Sequence, residues 1–299
     1  MSRAAVEAGL ASSVVEIQPG RSLAVHHRKG ANSSLPRLFF VHGSMASMLQ
    51  WHALIEHFSS KGHEVIAYDW LGCGLSPKPK SWQAYSFDAH RADLAAILTM
   101  YGGNAAYETK NVVICHSAGC SLALGLVGAA AQPSAKVDGM CLLGGLLTVP
   151  AQPPIFYLPV FALDWLQPTL SAGFEGLALH QKTRDGATDE RRAVLALAKE
   201  VNAGNAMHVC KAYYRQLVLP SVDEVRRAGT RANIMLIAGS DDQIVPLSQT
   251  QALRTELGAG ETPPRETPLH VVPETSHQMM QEEPSMVCTH IDGYLSGLL

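Results

Sequence analysis

Cys115-His116-Ser117-Ala118-Gly119 stands between two runs that cannot belong to the same element. Before it, Asn111-Val112-Val113-Ile114 is short and β-branched, which predicts a buried strand. After it, Ser121 to Ala131 is nearly all Leu, Ala, Val and Gly, which predicts a buried helix halted by Pro133. The chain must therefore turn sharply at Ser117 and present its hydroxyl at the end of a strand. This is the geometry of a nucleophile elbow, written G-x-S-x-G. Small residues are needed two places before and two after the serine, because strand and helix pack closely there. Gly119 meets the pattern and Cys115 replaces the first glycine with another small residue. A small-x-Ser-x-Gly string also arises by chance, so the rest of the chain has to decide its meaning.

A serine hydroxyl is a weak nucleophile at neutral pH. It needs a base to take its proton and a carboxylate to orient that base. On a strand–turn–helix scaffold the partners follow in the order Ser, Asp or Glu, His. Downstream, 232–238 reads as a buried strand running into Gly239-Ser240-Asp241-Asp242-Gln243-Ile244-Val245-Pro246. Leu269-His270-Val271-Val272 gives a last strand, followed by Pro273-Glu274-Thr275-Ser276-His277. Both candidate carboxylates and the histidine thus fall just past strand ends, where open α/β sheets bind their ligands.

The remaining pattern alternates strand and helix. Ser12 to Ile17 and Ser22 to Arg28 predict two antiparallel strands around Pro19-Gly20, and further strands are expected at 38–41, 65–68 and 137–143. Helices are expected at 47–60, 87–101, 117–131, 247–257 and 282–298. That alternation predicts a mostly parallel sheet of about eight strands covered on both faces. The exception is 148–229, which opens on Pro150, Pro153, Pro154 and Pro159, turns helical in pattern at 189–203 and 207–217, and contains no sheet strand. The expected organisation is a core in two parts, 1–147 and 230–299, interrupted by a helical insertion over 148–229.

On these motifs the chain resembles the serine-nucleophile branch of the α/β-hydrolase superfamily, from about Leu38 to the C-terminus. The superfamily's G-x-x-D-x-[IV]-V-P segment lies over Gly239 to Pro246, which implies Asp242 as the acid with Asp241 as runner-up. Its histidine matches His277, with Glu282-Glu283-Pro284 beyond. His42-Gly43-Ser44 after one strand and Asp69-Trp70-Leu71-Gly72-Cys73-Gly74-Leu75-Ser76 after the next are similar too. The stretches around Phe174 and His277 are similar to those of the animal abhydrolase-domain-containing member-eight group. The resemblance implies an α/β-hydrolase fold with 148–229 as a cap, a Ser117–Asp242–His277 triad and a second oxyanion donor at Ser44. Ala118, directly after the serine, is the first donor. His42 is expected to organise its turn rather than act as a base.

The expected activity is hydrolysis of an ester-type acyl bond in a small apolar molecule, without a cofactor or metal. His116, Phe156, Trp165 and Phe174 are the candidate substrate contacts, although the aromatics of 156–174 would equally form the cap's own packing. Dehalogenases and epoxide hydrolases of this fold carry aspartate at the elbow, so Ser117 argues against both. An H-x4-D motif linked to acyl transfer is not met, since Glu282 stands at that spacing from His277. Cleavage of a carbon–carbon bond by the same triad, and a binding protein that keeps the fold with little turnover, stay open as alternatives. Ester, thioester and amide substrates are not separated.

Composition closes other routes. Charged residues are 16% of the 299, hydrophobic residues 47% and the net charge is -3, which argues against disorder and against a nucleic-acid partner. The six cysteines lack C-x-x-C spacing, which argues against a disulfide framework or a zinc site and for a reducing compartment. With no secretory-signal pattern and no apolar run of about 18 residues, the expectation is cytoplasmic, with lipid-interface contact through 155–166 as a minor reading. The oligomeric state is not legible.

Overall fold

The computed structural model describes residues 9–103, 109–131, 135–149, 154–259 and 266–298. Eight strands form one sheet: β1 (Ser13–Gln18), β2 (Arg21–Arg28), β3 (Arg37–Val41), β4 (Val65–Tyr68), β5 (Asn111–His116), β6 (Gly139–Leu143), β7 (Asn233–Gly239) and β8 (Leu269–Val272). Their order is β1-β2-β4-β3-β5-β6-β7-β8. β1 pairs antiparallel with β2 and β2 with β4, while every other pairing is parallel. The chain belongs to the α/β class with a mostly parallel sheet, as its alternating pattern predicts.

The apolar runs explain the two-sided cover. Within β3, Phe39 and Val41 pack into one core while Leu38 and Phe40 pack into the other. In β5, Val113 and Cys115 take the first side, Val112 and Ile114 the second. A strand whose successive residues are all apolar has no face for water, so helices must lie on both sides. They are α1 (His52–Ser60), α2 (Phe87–Tyr101), α3 (Ala118–Val127), α4 (Val160–Ala178), α5 (Gln181–Arg184), α6 (Asp189–Ala203), α7 (Met207–Arg215), α8 (Val222–Arg231), α9 (Leu247–Gly258), α10 (Met279–Glu282) and α11 (Pro284–Leu298).

Several boundaries differ from the sequence reading for local reasons. The helix after Ser117 stops at Val127 because Gly128 caps it, its N–H reaching Leu124 O at 2.8 Å. The stop expected at Pro133 lies outside the described residues, as do Pro150 and Pro153. The expected helix 47–60 is a 3₁₀ turn, Met48–Trp51, followed by α1. The last expected helix, 282–298, begins at Pro284, whose missing N–H costs nothing at the first position of α11, and the separate short helix α10 precedes it.

The segment between β6 and β7 holds α4 to α8 and no strand among its described residues. Its largest departure from expectation is α4, a 19-residue helix that runs through Pro168. Proline there removes the bond to the Asp164 carbonyl and ordinarily breaks a helix. Here both Asp164 and Pro168 are exposed, so water can serve that carbonyl. Among the described residues, no helix is long and apolar enough to cross a membrane.

Candidate active site

The strand order reverses direction around β3: β4 lies on one side and β5 on the other. A crevice at the carboxyl ends of such a pair is where an open α/β sheet takes its ligand. His42-Gly43-Ser44 leaves β3 there, and Ser117 leaves β5. Ser117 sits at φ 53°, ψ -124°, a left-handed conformation that β-carbon-bearing residues rarely adopt. It is held by its N–H to Leu143 O at 2.8 Å and by its carbonyl, which accepts from Cys120 N–H at 2.9 Å. Gly119 is obligatory for this turn, since a Cβ there would lie 2.6 Å from His42 O and 2.8 Å from Val41 O. Cys115, by contrast, is an ordinary buried residue of β5, so that position does not require glycine.

The loops after β7 and β8 bring Asp242 and His277 together. His277 Nδ1 lies 2.8 Å from Asp242 Oδ2, and both side chains are buried. The other carboxylate oxygen, Oδ1, accepts from the backbone N–H of Ile244 (2.9 Å) and Val245 (2.8 Å), which fixes its direction. Asp241 points elsewhere: its side chain is exposed, hydrogen-bonded to Ser240 Oγ and 3.8 Å from His180 Nε2. The contact to His277 is therefore Asp242's. Gly144, at φ 59°, approaches the His277 ring so closely that an added Cβ would meet it at 3.3 Å.

His42 is wholly buried. Its Nδ1–H donates to Gly43 O at 2.7 Å, its Nε2 accepts from Trp70 N–H at 3.0 Å, and its ring stacks on Trp70. Burial pushes its pKa down to about 3, so it stays neutral and ties the β3 loop to the β4 loop. Asp69 adds a second tie, accepting from Met48 N–H at 2.7 Å and Leu75 N–H at 2.8 Å. Cys73 is fully buried and its thiol is pushed up by burial, which leaves it a packed residue rather than a reactive one. The other cysteines are buried and unpaired as well.

A cavity of about 570 Å³ opens at these loops. Ser44, Ala118, His116, Ser117 and His277 line it from the sheet side. Phe156, Leu170, Phe174, Leu197 and Tyr214 line it from the segment between β6 and β7. Of the sequence candidates, Trp165 does not reach it. One side of α4 carries Leu163, Leu170 and Phe174 inward, and Phe161 and Trp165 project from the opposite side, Trp165 at 81% exposure. An aromatic count along 156–174 could not separate these two faces; the periodicity could, once the helix was known to pass Pro168.

Glu282 and Arg191 are site neighbours that the sequence did not single out for this role. Glu282 Oε2 accepts from Ser276 N–H at 2.7 Å, one residue before His277, and Oε1 accepts from His180 N–H and Thr183 Oγ1. Arg191, buried on α6, donates to Thr183 Oγ1, Glu274 O and Glu283 Oε1. The histidine loop is thus tied to the segment before β7. Replacing Arg191 with Met leaves Glu282 buried without its countercharge 3.7 Å away. Loss of one partner from such a buried pair costs about 3–5 kcal/mol, so thermal unfolding by circular dichroism should drop by on the order of 10 °C.

A mostly parallel eight-stranded sheet with a strained serine after β5 and an Asp–His pair after β7 and β8 defines an α/β hydrolase. The chain belongs to the family described as serine aminopeptidase S33, whose model matches residues 33–284. Mouse protein ABHD8 is 32% identical over 272 residues, covering 89% of this chain and 56% of the relative. The chain thus spans about half the length of the curated relatives it matches first. A hydrolase from Pseudomonas aeruginosa superposes with a TM-score of 0.75 at 17% identity, covering 95% of this chain and 98% of the other. The enol-lactonase from Burkholderia xenovorans gives 0.74 at 14% identity, covering 95% and 100%.

Proposed function

We propose that the chain is a serine hydrolase that cleaves an ester-type acyl bond of a small, largely apolar substrate through an acyl-enzyme. The observation that carries this reading is the buried His277–Asp242 hydrogen bond beside a serine held in a left-handed turn, with Ser117 and His277 lining one cavity. His277 takes the proton from Ser117 as the hydroxyl attacks the acyl carbon. Asp242 holds the proton on Nδ1, leaving Nε2 free as the base, and stabilises the imidazolium. The backbone N–H groups of Ala118 and Ser44 receive the oxyanion, aided by the positive end of α3. Water then attacks the acyl-enzyme with His277 again as base, and no step calls for a cofactor.

Residues 148–229 serve as the cap: they supply the apolar wall and keep water from the reacting carbonyl. Ser44 adds a link between cap and oxyanion loop, since its hydroxyl lies beside those of Tyr213 and Tyr214 on α7. The test is labelling by a fluorophosphonate probe. The folded wild type should label at Ser117, identified by peptide mass spectrometry, and p-nitrophenyl esters of increasing chain length should be turned over until the cavity is filled. A folded protein that neither labels nor turns over any ester overturns the reading and favours the binding-protein alternative.

A further inference from the structure

The oxyanion loop after β3 is fixed at its two ends by the core and in its middle by the cap. At one end Gly43 O accepts from His42 Nδ1–H at 2.7 Å, and at the other Met48 N–H donates to Asp69 Oδ1 at 2.7 Å. Between them Ala46 N–H donates to Gly43 O at 3.3 Å, which closes a four-residue turn with Ser44 and Met45 at its corners. Met45 stands there at φ 53°, a left-handed conformation that a turn ordinarily gives to glycine. A residue with a β-carbon keeps such a backbone only where its surroundings over-determine it.

Those surroundings come from α7 and the residues that lead into it. Asn205, two residues before that helix, is 8% exposed, and its Nδ2–H donates to Met45 O at 2.8 Å. The peptide that leaves Met45 is thus held at both ends, its C=O by Asn205 and its N–H by Gly43 O. The helix adds two further contacts. Cys210 Sγ lies 3.4 Å from Met45 Sδ, and the hydroxyls of Tyr213 and Tyr214 lie beside that of Ser44. Asn205 is itself anchored: its N–H donates to Asn202 O at 3.2 Å, and its carbonyl accepts from Gln167 Nε2 of α4 at 2.8 Å.

We infer that Asn205 is a positioning residue for the oxyanion loop: by holding Met45 O it keeps the left-handed turn that aims the Ser44 N–H at the reacting carbonyl. The inference rests on the serine-hydrolase reading, in which that N–H is the second oxyanion donor. Without the Asn205 bond, Met45 gains by relaxing to negative φ, which rotates the adjoining peptides and carries the Ser44 donor out of line. That donor serves the charged intermediate rather than the bound ester, so the loss falls on kcat and leaves KM nearly unchanged. The loss also depends on residue 45, because glycine keeps a left-handed backbone without being held there.

The test is steady-state kinetics with the p-nitrophenyl ester that the wild type turns over best. Four proteins are compared, each checked to be folded by circular dichroism: wild type, Asn205→Leu, Met45→Gly and the double variant. Asn205→Leu should lower kcat by about 10²-fold with KM within about threefold of wild type. In the Met45→Gly background the same substitution should cost at least about fivefold less. If Asn205→Leu does not fold, Asn205→Asp, which keeps the shape and loses the donor, is read in its place. A residue that merely packed the cap, or that touched the ester, would move stability or KM and would cost the same in both backgrounds. The inference is overturned if kcat stays within about threefold of wild type, if the change falls on KM, or if Met45→Gly attenuates the loss by less than about fivefold. A wild type that neither labels with the fluorophosphonate nor turns over an ester overturns the hydrolase reading and this inference together. A labelled wild type with equal losses in the two backgrounds overturns this inference alone.

Discussion

Ser117→Ala should lower kcat for any ester the protein turns over by a factor on the order of 10⁴–10⁶, with little change in thermal stability. The size follows from the way a triad works: removing the nucleophile disables the base and the carboxylate with it, and what remains comes from binding and the oxyanion donors. The structure supplies a second readout. Ser117 holds a left-handed backbone that alanine tolerates no better, whereas glycine adopts it without strain. Ser117→Gly should therefore be as inactive as Ser117→Ala but more stable than it by about 1 kcal/mol, read from urea unfolding. Comparable turnover in either variant would remove Ser117 from the chemistry.

The second large effect should separate two adjacent carboxylates. Asp242→Asn should reduce kcat by about 10⁴, since an amide facing Nδ1 favours the wrong tautomer. Asp241→Asn should stay within a few-fold of wild type, because Asp241 is solvent-facing and bonded to Ser240 rather than to His277. The two measurements share one substrate and one assay, so a reversal of their order would show that another carboxylate serves the histidine. Asp242→Asn should keep the turn itself, because an amide oxygen in the place of Oδ1 still accepts from both backbone N–H groups.

Much of this was legible in the sequence because the fold's demands are local. A buried parallel strand has to be apolar on both faces, so β3, β5 and β7 announce themselves as continuous runs, and the residues that follow each run mark the sheet's carboxyl edge. The places of Ser117 and of the Asp241–Asp242 pair follow from that, while His277 comes after β8, a shorter and only partly buried strand. The Asp241–Asp242 choice was narrowed by resemblance and rests structurally on two backbone N–H groups that no sequence pattern displays. What stayed hidden was decided by tertiary contact. Pro168 argues locally against α4, and only its exposure makes the helix tolerable. Asn205 reads as an ordinary polar residue between Gly204 and Ala206, and its hold on Met45 O exists only once the segment before β7 folds over the loop after β3.

The misplaced Trp165 has a consequence of its own. The chain carries four tryptophans. Trp51 and Trp70 are buried in the core, Trp82 is 37% exposed, and Trp165 stands out on the far side of α4. Emission from such a set divides into a blue component shielded from dissolved quenchers and a red component open to them. Acrylamide would extinguish the second first, and a Trp165→Phe variant would identify it. The outer surface of α4 thus carries its own optical label, and any molecule that settles on it would shift that red emission without the protein having to be tagged.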